Sequence, residues 1–489
     1  MTNTKVQIAS GWLEGAKAGS TISWLGIPYA HAERFGPPEP VAPWQGTRPA
    51  KKFAPQCPQR RGNETKRAHI SPPSHGENCL NLNIWAPASR EGTLKPVMVW
   101  IHGGAFLISG SNPYNGAELS DLGDMVVVTI NYRLGVLGFA NFAEGLNIPE
   151  VASNLGLRDQ IAALEWIRDN IQAFGGDPAR VTISGESAGS ISVSLLMLCR
   201  KAWPLFHGAI MQSGALNLIH DREKSRQAGQ QYGKLLGVDA GSLEALRRVG
   251  LAQLLEAQAT LNSQDPKVIP AAPWFDGDLL PASLEEARAA QTAPVPLLAG
   301  ANREETRRFE LFPGNLVPIH WPDLERIMRS QLPHEQVDRI MAAYPRTASG
   351  QRALASDLTF ILPTRHFAER HSAVAPVWYY SFDYRHPVLG ACHALDLAFL
   401  WPVSGILGLL VRGGPMKGAR SALGDRIKAN WIHFVQNGCP LPDWLPYTAD
   451  KPNVRLFNLT DEIVSGPDHE RYTAWAGCDV GPGFKTALN

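Results

Sequence analysis

The 489-residue chain has almost no net charge, with 46 Lys and Arg against 45 Asp and Glu, and like charges nowhere gather into a long run. A chain without a basic or acidic field has no long-range means of capturing nucleic acid or an anionic membrane, so a small, nearly neutral partner is expected. Cysteine is scarce. The six, at 57, 79, 199, 392, 439 and 478, form no C-x-x-C pair and no Cys/His zinc spacing, so neither metal nor cofactor is expected. The longest apolar stretch, Leu395 to Val411, is interrupted by Asp396, Pro402, Ser404 and two glycines, and it falls short of the ~20 residues of a spanning helix. The first residues, Met1 to Gly11, carry one Lys and no apolar block, so no secretory signal is expected and the compartment expected is the cytoplasm. There the sequons at Asn63 and Asn458 would be accidental. Internal repeats, low-complexity tracts and flexible linkers are also lacking, which argues against independent halves.

What the chain does have is core, at 44% hydrophobic residues, and that composition excludes disorder. Residues 1–489 read as one domain with helix-rich excursions at about 215–272 and 309–354. The first thirty residues hold the β-prone runs Val6–Ala9 and Thr21–Leu25, as in an antiparallel meander. Short unbroken apolar runs follow: Val97–Ile101, Met125–Ile130, Val181–Ser184, Ala209–Met211, Val295–Ala299, Val377–Phe382 and Val454–Phe457. Such runs are typical of parallel strands covered on both faces. Between the second and third, Leu157, Ile161, Leu164, Ile167, Ile171 and Phe174 recur every three or four residues, which predicts one amphipathic helix over Asn154–Phe174. Gly175-Gly-Asp-Pro178 should stop it and turn the chain into the next strand. The class predicted is α/β.

The chemistry is concentrated in Gly185-Glu186-Ser187-Ala188-Gly189, a G-x-S-x-G. The bare pattern arises by chance in roughly one chain of this length in three or four, so it decides little alone. Its setting is rarer, because a β-branched strand leads in and the helical run Ile191–Leu198 leads out. That is a nucleophile elbow, the mark of the α/β-hydrolase fold, where the acid and then the His follow on later loops. After Val295–Ala299 come Glu304 and Glu305, and after Val377–Phe382 comes Gly390-Ala-Cys-His393. His386 is the nearest rival to His393, while His31, His207 and His220 precede the acid or are poorly placed. A tetrahedral intermediate also needs backbone N–H donors. Ala188 opens the helix after the Ser, and Gly104 and Ala105 lie on His102-Gly-Gly-Ala-Phe106, directly after a strand. A phosphate loop would need glycine spacings that are absent here.

These residues resemble the type-B carboxylesterase family, which includes para-nitrobenzyl esterases, animal carboxylesterases and cholinesterases. The likeness runs along nearly the whole chain: Gly26-Ile-Pro-Tyr-Ala30, Arg34-Phe35, Glu77-Asn-Cys-Leu-Asn-Leu-Asn83, His102–Phe106, Asn131-Tyr-Arg133, Asn154–Gln160, Phe174–Pro178, Gly185–Gly189, Gln212-Ser-Gly214, Asp276-Gly277, Gly300–Glu305, Gly390–His393 and Pro442-Asp-Trp444. The resemblance implies a serine ester hydrolase with Ser187 as nucleophile, His393 as base and Glu305, in preference to Glu304, as the third member. It gives Glu186 and Ser213 supporting places, makes Arg34 and Glu77 an ion pair, and sets Cys57 and Cys79 at the family's first disulfide, which a reducing compartment would leave open. This chain departs from the family pattern in Ala105, Thr306 (followed by Arg307 and Arg308) and Ser190, each where glycine is usual, and in Asn78, where Asp is usual.

Leu107, Leu216, Trp274, Phe309, Phe399 and Trp401 are the expected apolar pocket, with Phe312 and Trp321 also carried by the second excursion. The substrate expected is a small to medium, largely apolar ester, and the protein a monomer or small homo-oligomer with no nucleic-acid or membrane partner. A carbamate, amide or aryl-ester hydrolase would use the same residues. A non-catalytic, neuroligin-like binding module is the reading from another class, and those relatives typically lack the nucleophile present here.

Overall fold

The computed structural model describes residues 4–60, 75–89, 92–238, 241–264, 269–311, 317–402, 411 and 417–478. Asn63, Phe312 and most of the apolar stretch beyond Pro402 lie outside these residues. Packing divides the chain into two compact units, Met1–Gly208 with Ile219–Gln264 and Pro270–Ala293, and Ala209–Leu218 with Asp265–Ile269 and Pro294–Asn489.

The first unit begins with a hairpin, β1 (Lys5–Ile8) and β2 (Gly11–Glu14). Its main sheet contains β3 (Ala16–Ala18), β4 (Thr21–Pro28), β5 (Asn81–Pro87), β6 (Lys95–Ile101), β7 (Val126–Ile130) and β8 (Gly176–Glu186). The β6 residues Val97 to Ile101 are fully buried, as their unbroken apolar run requires. Strand β6 pairs in parallel with β7 on one side and β8 on the other, so that Ile101 stands beside both Ile130 and Gly185. The loop after β6 and the bend after β8 therefore leave the sheet at the same end. Strand β5 runs antiparallel to both β4 and β7. It was not among the expected strands, because its asparagines interrupt the apolar run. They are buried as partners for the backbone: Asn83 Oδ1 accepts from Gly26 N at 2.9 Å and Asn81 Nδ2 donates to Pro55 O at 2.8 Å.

Helix α1 (Leu155–Asn170) carries the predicted stripe, and Leu157, Ile161, Leu164 and Ile167 are all buried. The predicted helix ends four residues early. Ile171–Phe174 tightens into a 3-10 turn, and Gly175 at φ 87° stops it. The polar face of α1 is also used, since Gln160 donates to Ser192 at 3.0 Å on helix α2 (Ala188–Leu198). The first excursion folds into α3 (Arg222–Leu236) and α4 (Leu251–Gln264), with α4 tied down where Gln258 Oε1 accepts from Val136 N at 2.7 Å. The implied ion pair is present, with Arg34 Nε donating to Glu77 Oε2 at 2.6 Å.

In the second unit β9 (Gly208–Gln212), β10 (Leu297–Asn302), β11 (Val377–Phe382) and β12 (Asn453–Phe457) pair in parallel, and β13 (Glu462–Ser465) closes the edge antiparallel to β12. Strand β10 starts two residues later than the run Val295–Ala299 predicts, because Pro296 has no N–H to give to a ladder. The second excursion forms α5 (Trp321–Arg329), α6 (His334–Ala342) and α7 (Ala348–Ser356). Leu324, Ile327, Val337, Ile340, Tyr344 and Leu354 build a satellite core there. A π-turn, Asp357–Ile361, joins α7 to α8 (Leu362–His371). No helix among the described residues is long and apolar enough to cross a membrane.

One buried ion pair anchors the first unit. Asp159 accepts from the backbone N of Arg133 at 3.0 Å, from its Nε at 2.8 Å and from its Nη2 at 2.7 Å, with side chains 5% and 0% exposed. Removing one partner strands the other charge in a dry interior. Asp159→Ala should therefore lose about 3–5 kcal/mol of stability in urea unfolding, and pairing it with Arg133→Met should recover more than half of that loss.

Candidate active site

Ser187 stands alone between β8 and α2, at φ 57° and ψ −124°, a backbone conformation that costs a non-glycine residue of order 1–3 kcal/mol. Its neighbours explain the bend. A Cβ on Gly185 would lie 2.5 Å from the carbonyl carbon and oxygen of Gly189, and a Cβ on Gly189 would lie 2.0 Å from the carbonyl oxygen of Ile101. Strand and helix thus cross in contact over the end of β6, and only hydrogen atoms fit at the two outer positions of G-x-S-x-G. The helix opens normally, with Ile191 N donating to Ser187 O at 2.9 Å.

The loop after β6 lies against this bend. A Cβ on Gly103 would meet Glu186 O at 2.6 Å, Glu186 Oε2 at 2.9 Å and Ser187 Cβ at 3.1 Å. Gly104 takes φ 109°, and Ala105 and Phe106 follow at 55° and 60°. Ala105 thus keeps a left-handed conformation that glycine would adopt without strain. The turn is tied by Leu107 N and Ile108 N, both donating to Gly104 O, at 3.0 and 3.1 Å. The N–H groups of Gly104, Ala105 and Ala188 donate to no acceptor among the described residues. His102 holds the loop from below. Its ring stacks on Tyr132 with centroids 4.5 Å apart, Tyr132 donates to the His102 carbonyl at 2.8 Å, and His102 Nδ1 donates to Gly103 O at 2.8 Å.

In the second unit, Glu305 is fully buried just past β10. One oxygen accepts from Asn302 N at 2.7 Å, and the other accepts from His393 Nδ1 at 2.6 Å. With its proton on Nδ1, the imidazole leaves Nε2 as an acceptor. The His393 ring, 6% exposed, packs against Phe360 with centroids 4.5 Å apart and against Phe309 at 5.6 Å. Phe360 escaped the sequence reading. It sits on the π-turn, where the extra residue breaks the 3.6-residue repeat, and Asn217 fixes that turn by donating to Thr359 O at 2.8 Å.

Asp396 lies behind the pair, accepting from Gln212 at 2.8 Å, Asn302 at 3.1 Å and Tyr380 at 3.2 Å, and burial holds its carboxyl above the usual range. Burial also pushes the neighbouring Cys392 thiol up to about 12, which makes it a poor nucleophile. The rival His386 caps its own turn, its Nδ1 accepting from Val388 N at 3.3 Å and Leu389 N at 3.2 Å. Thr306, at a position where glycine is usual, bonds its backbone N to Ser356 Oγ at 3.2 Å and so ties the acid's loop to α7.

Of the other expected residues, Glu186 is buried beside Gly103, and Ser213 is fully buried at φ 60°, donating its N–H to Gly300 O at 2.8 Å. Leu107 and Trp274 belong to the first unit, and Leu216, Phe309, Phe399 and Trp401 to the second. Trp274 is buried, its backbone gripped by Asn154 at 2.9 and 3.0 Å. Phe399 packs as core, its ring 5.5 Å from Phe382 and 5.6 Å from Tyr384. Phe309 touches the His393 ring directly. Cys57 and Cys79 stand as free thiols here, without the disulfide implied by resemblance. Cys57 Sγ accepts from Leu134 N at 3.2 Å, and both thiols are buried. No metal-holding group of His, Cys, Asp and Glu exists among the described residues.

Residues 2–475 match the profile of the carboxylesterase family. The chain is 34% identical to a para-nitrobenzyl esterase of Bacillus subtilis (strain 168), over 96% of this chain and 98% of that protein. It is 33% identical to a cocaine esterase of Homo sapiens, over 95% and 88%. Among solved structures, a PNB esterase superposes with a TM-score of 0.87 at 31% identity, covering 97% of this chain and 99% of the other. A carboxylesterase of Geobacillus stearothermophilus gives 0.84 at 33%, covering 97% and 100%. The α/β-hydrolase fold expected from the elbow is the fold of these neighbours, a large mixed sheet flanked by helices.

Burial lowers His102 from 6.5 to about 4. Between those values the unfolded chain binds a proton that the folded one refuses, so stability is intact above about pH 6.5 and falls as pH drops toward 4. The loss should reach roughly 3 kcal/mol at most. Urea unfolding at pH 7.5 and 4.5 should show this slope in the native protein and a flatter one in His102→Gln.

Proposed function

Because the chain belongs to the carboxylesterase family and is a carboxylic-ester hydrolase, we propose that Ser187, His393 and Glu305 form its catalytic triad. His393 Nε2 takes the proton of Ser187 as the hydroxyl oxygen attacks the ester carbonyl. The N–H groups of Gly104, Ala105 and Ala188 stabilise the oxyanion. His393 then protonates the departing alcohol, and water releases the acid from the acyl-enzyme by the same two steps in turn. Glu305 keeps the imidazole in the Nδ1–H tautomer and stabilises its cation. Glu186 and Ser213 support the constellation, and no metal or organic cofactor takes part.

The observation that carries this reading is the 2.6 Å bond from His393 Nδ1 to Glu305. It commits the other ring nitrogen to accepting a proton. The strained bend that holds up Ser187 and the three unspent N–H donors supply the other half of the chemistry. Each part alone has ordinary explanations. The combination, in a member of this family, matches what acyl transfer needs.

We take the substrates to be small to medium, largely apolar carboxylic esters, because Phe309 and Phe360 flank the His393 ring. Residues 1–489 would act as one catalytic domain, in the cytoplasm, with the excursions walling the entrance to the site and selecting the ester.

Ser187→Ala should lower the turnover of p-nitrophenyl acetate by roughly 10⁵- to 10⁶-fold. A fluorophosphonate should label the peptide that contains Ser187 and no other, and labelling elsewhere or an unchanged rate would refute the assignment. Glu305→Gln should fold and still lose about 10⁴ in kcat, because an amide at that position no longer enforces the tautomer. Turnover within tenfold of the native protein would remove Glu305 from the triad.

A further inference from the structure

The geometry points to Glu304 as a positioning residue that clamps the loop carrying His393. This deepens the proposed triad and rests on it. Glu304 and Glu305 are adjacent in sequence and turn to opposite tasks. Glu305 holds the imidazole, whereas Glu304 holds the chain two residues before it. Both backbone groups of Ala391 are bonded to Glu304: the Ala391 N–H donates to Glu304 Oε2 at 3.1 Å, and the Ala391 carbonyl accepts from Glu304 N at 2.9 Å. A third link closes the strap, with His393 N donating to Glu305 O at 3.2 Å.

The surroundings are shaped to keep this carboxylate in place. Gly390 takes φ 64°, and a Cβ there would fall 2.3 Å from Glu304 Oε2 and 2.5 Å from Arg307 Cδ. Glycine at 390 therefore allows Glu304 and Arg307 to lie directly over the loop. Arg307 pairs with Glu304 at 3.5 Å and also donates to Val388 O at 3.2 Å at the tip of the turn. Arg352, on α7, pairs with Glu304 at 3.6 Å and with Glu310 at 2.7 Å. The Glu304 side chain is only 14% exposed, so its charge-assisted bond to Ala391 N is better shielded than a surface contact. Gly390 and Ala391 are buried, but their side chains are too small to set the ring of His393 by themselves. The carboxylate of Glu304 supplies that constraint.

The test compares Glu304→Ala and Glu304→Gln in the full chain, using p-nitrophenyl acetate, thermal melting and hydrogen exchange of the peptide spanning 386–393. The amide oxygen of the Gln variant can still accept from Ala391 N, and that variant should keep kcat within about threefold. The Ala variant should exchange faster at Ala391 and lose roughly ten- to a hundredfold in kcat, the scale expected for a misplaced catalytic group. Its KM and Tm should change little. The apparent pKa of kcat/KM should move down, because a looser His393–Glu305 bond favours the imidazolium less. Unchanged exchange in Glu304→Ala would overturn the clamp. Faster exchange with kcat within twofold of the native protein would overturn its role in catalysis. Neither result touches the triad, which stands or falls on Ser187→Ala.

Discussion

The contact of Gly185 and Gly189 with the carbonyl oxygen of Ile101 is the constraint on which the position of Ser187, the proposed nucleophile, depends. It brings β8, α2 and the end of β6 closer than any side chain allows, so the residue between the glycines must leave the usual backbone regions, at φ 57°. That strain is maintained by a core in which Val97 to Ile101 have no solvent exposure and by a parallel register that sets Ile101 between Ile130 and Gly185. The same register launches the His102–Phe106 loop beside the bend. Gly103 then lets that loop rest on Glu186 and Ser187. One steric condition at three backbone positions thus accounts for the strained backbone at Ser187 and for the loop of Gly104 and Ala105 laid against it.

The second unit solves a different problem, which is to hold a carboxylate and an imidazole together out of water. Glu305 has no exposure and depends on Asn302 N and His393 Nδ1 for its hydrogen bonds. Asn302 links it to Asp396, whose three donors offset part of the cost of burying another acid. Aromatic rings exclude water from the face of His393, and the π-turn delivers Phe360 for that purpose. The charges around Glu304, Arg307 and Arg352 lie further out and act on the chain that carries the ring.

Much of this was legible beforehand where a physical rule acts over a few neighbouring residues. The unbroken run Val97–Ile101, the stripe of α1 and the glycines around Ser187 are local consequences of burial, helical period and steric contact, and strand, helix and bend follow them closely. The helix ended early at Asn170, and β10 began late because Pro296 lacks a donor. Strand β5 was missed because its asparagines serve long-range backbone partners, which leave no periodic trace. Phe360 was missed for the converse reason, since one inserted residue shifted it out of the helical pattern.

The order of Ser187, Glu305 and His393 and the chemistry open to each were determined by the chain itself, because side-chain reactivity and the steric demands of a G-x-S-x-G bend are properties of a few adjacent residues. Local chemistry left Glu304 and Glu305 equally open, resemblance to the family favoured Glu305, and the physical reason for that choice exists only in three dimensions. Backbone bonds between residues some ninety positions apart, from Glu304 to Ala391 and from His393 to Glu305, rotate one carboxylate inward and the other onto the loop. Consecutive side chains of identical chemistry carry no label for such a choice. Whether Cys57 and Cys79 cross-link, and which aromatic flanks His393, were likewise left to packing, because each depends on partners that are distant in sequence and contiguous only after folding.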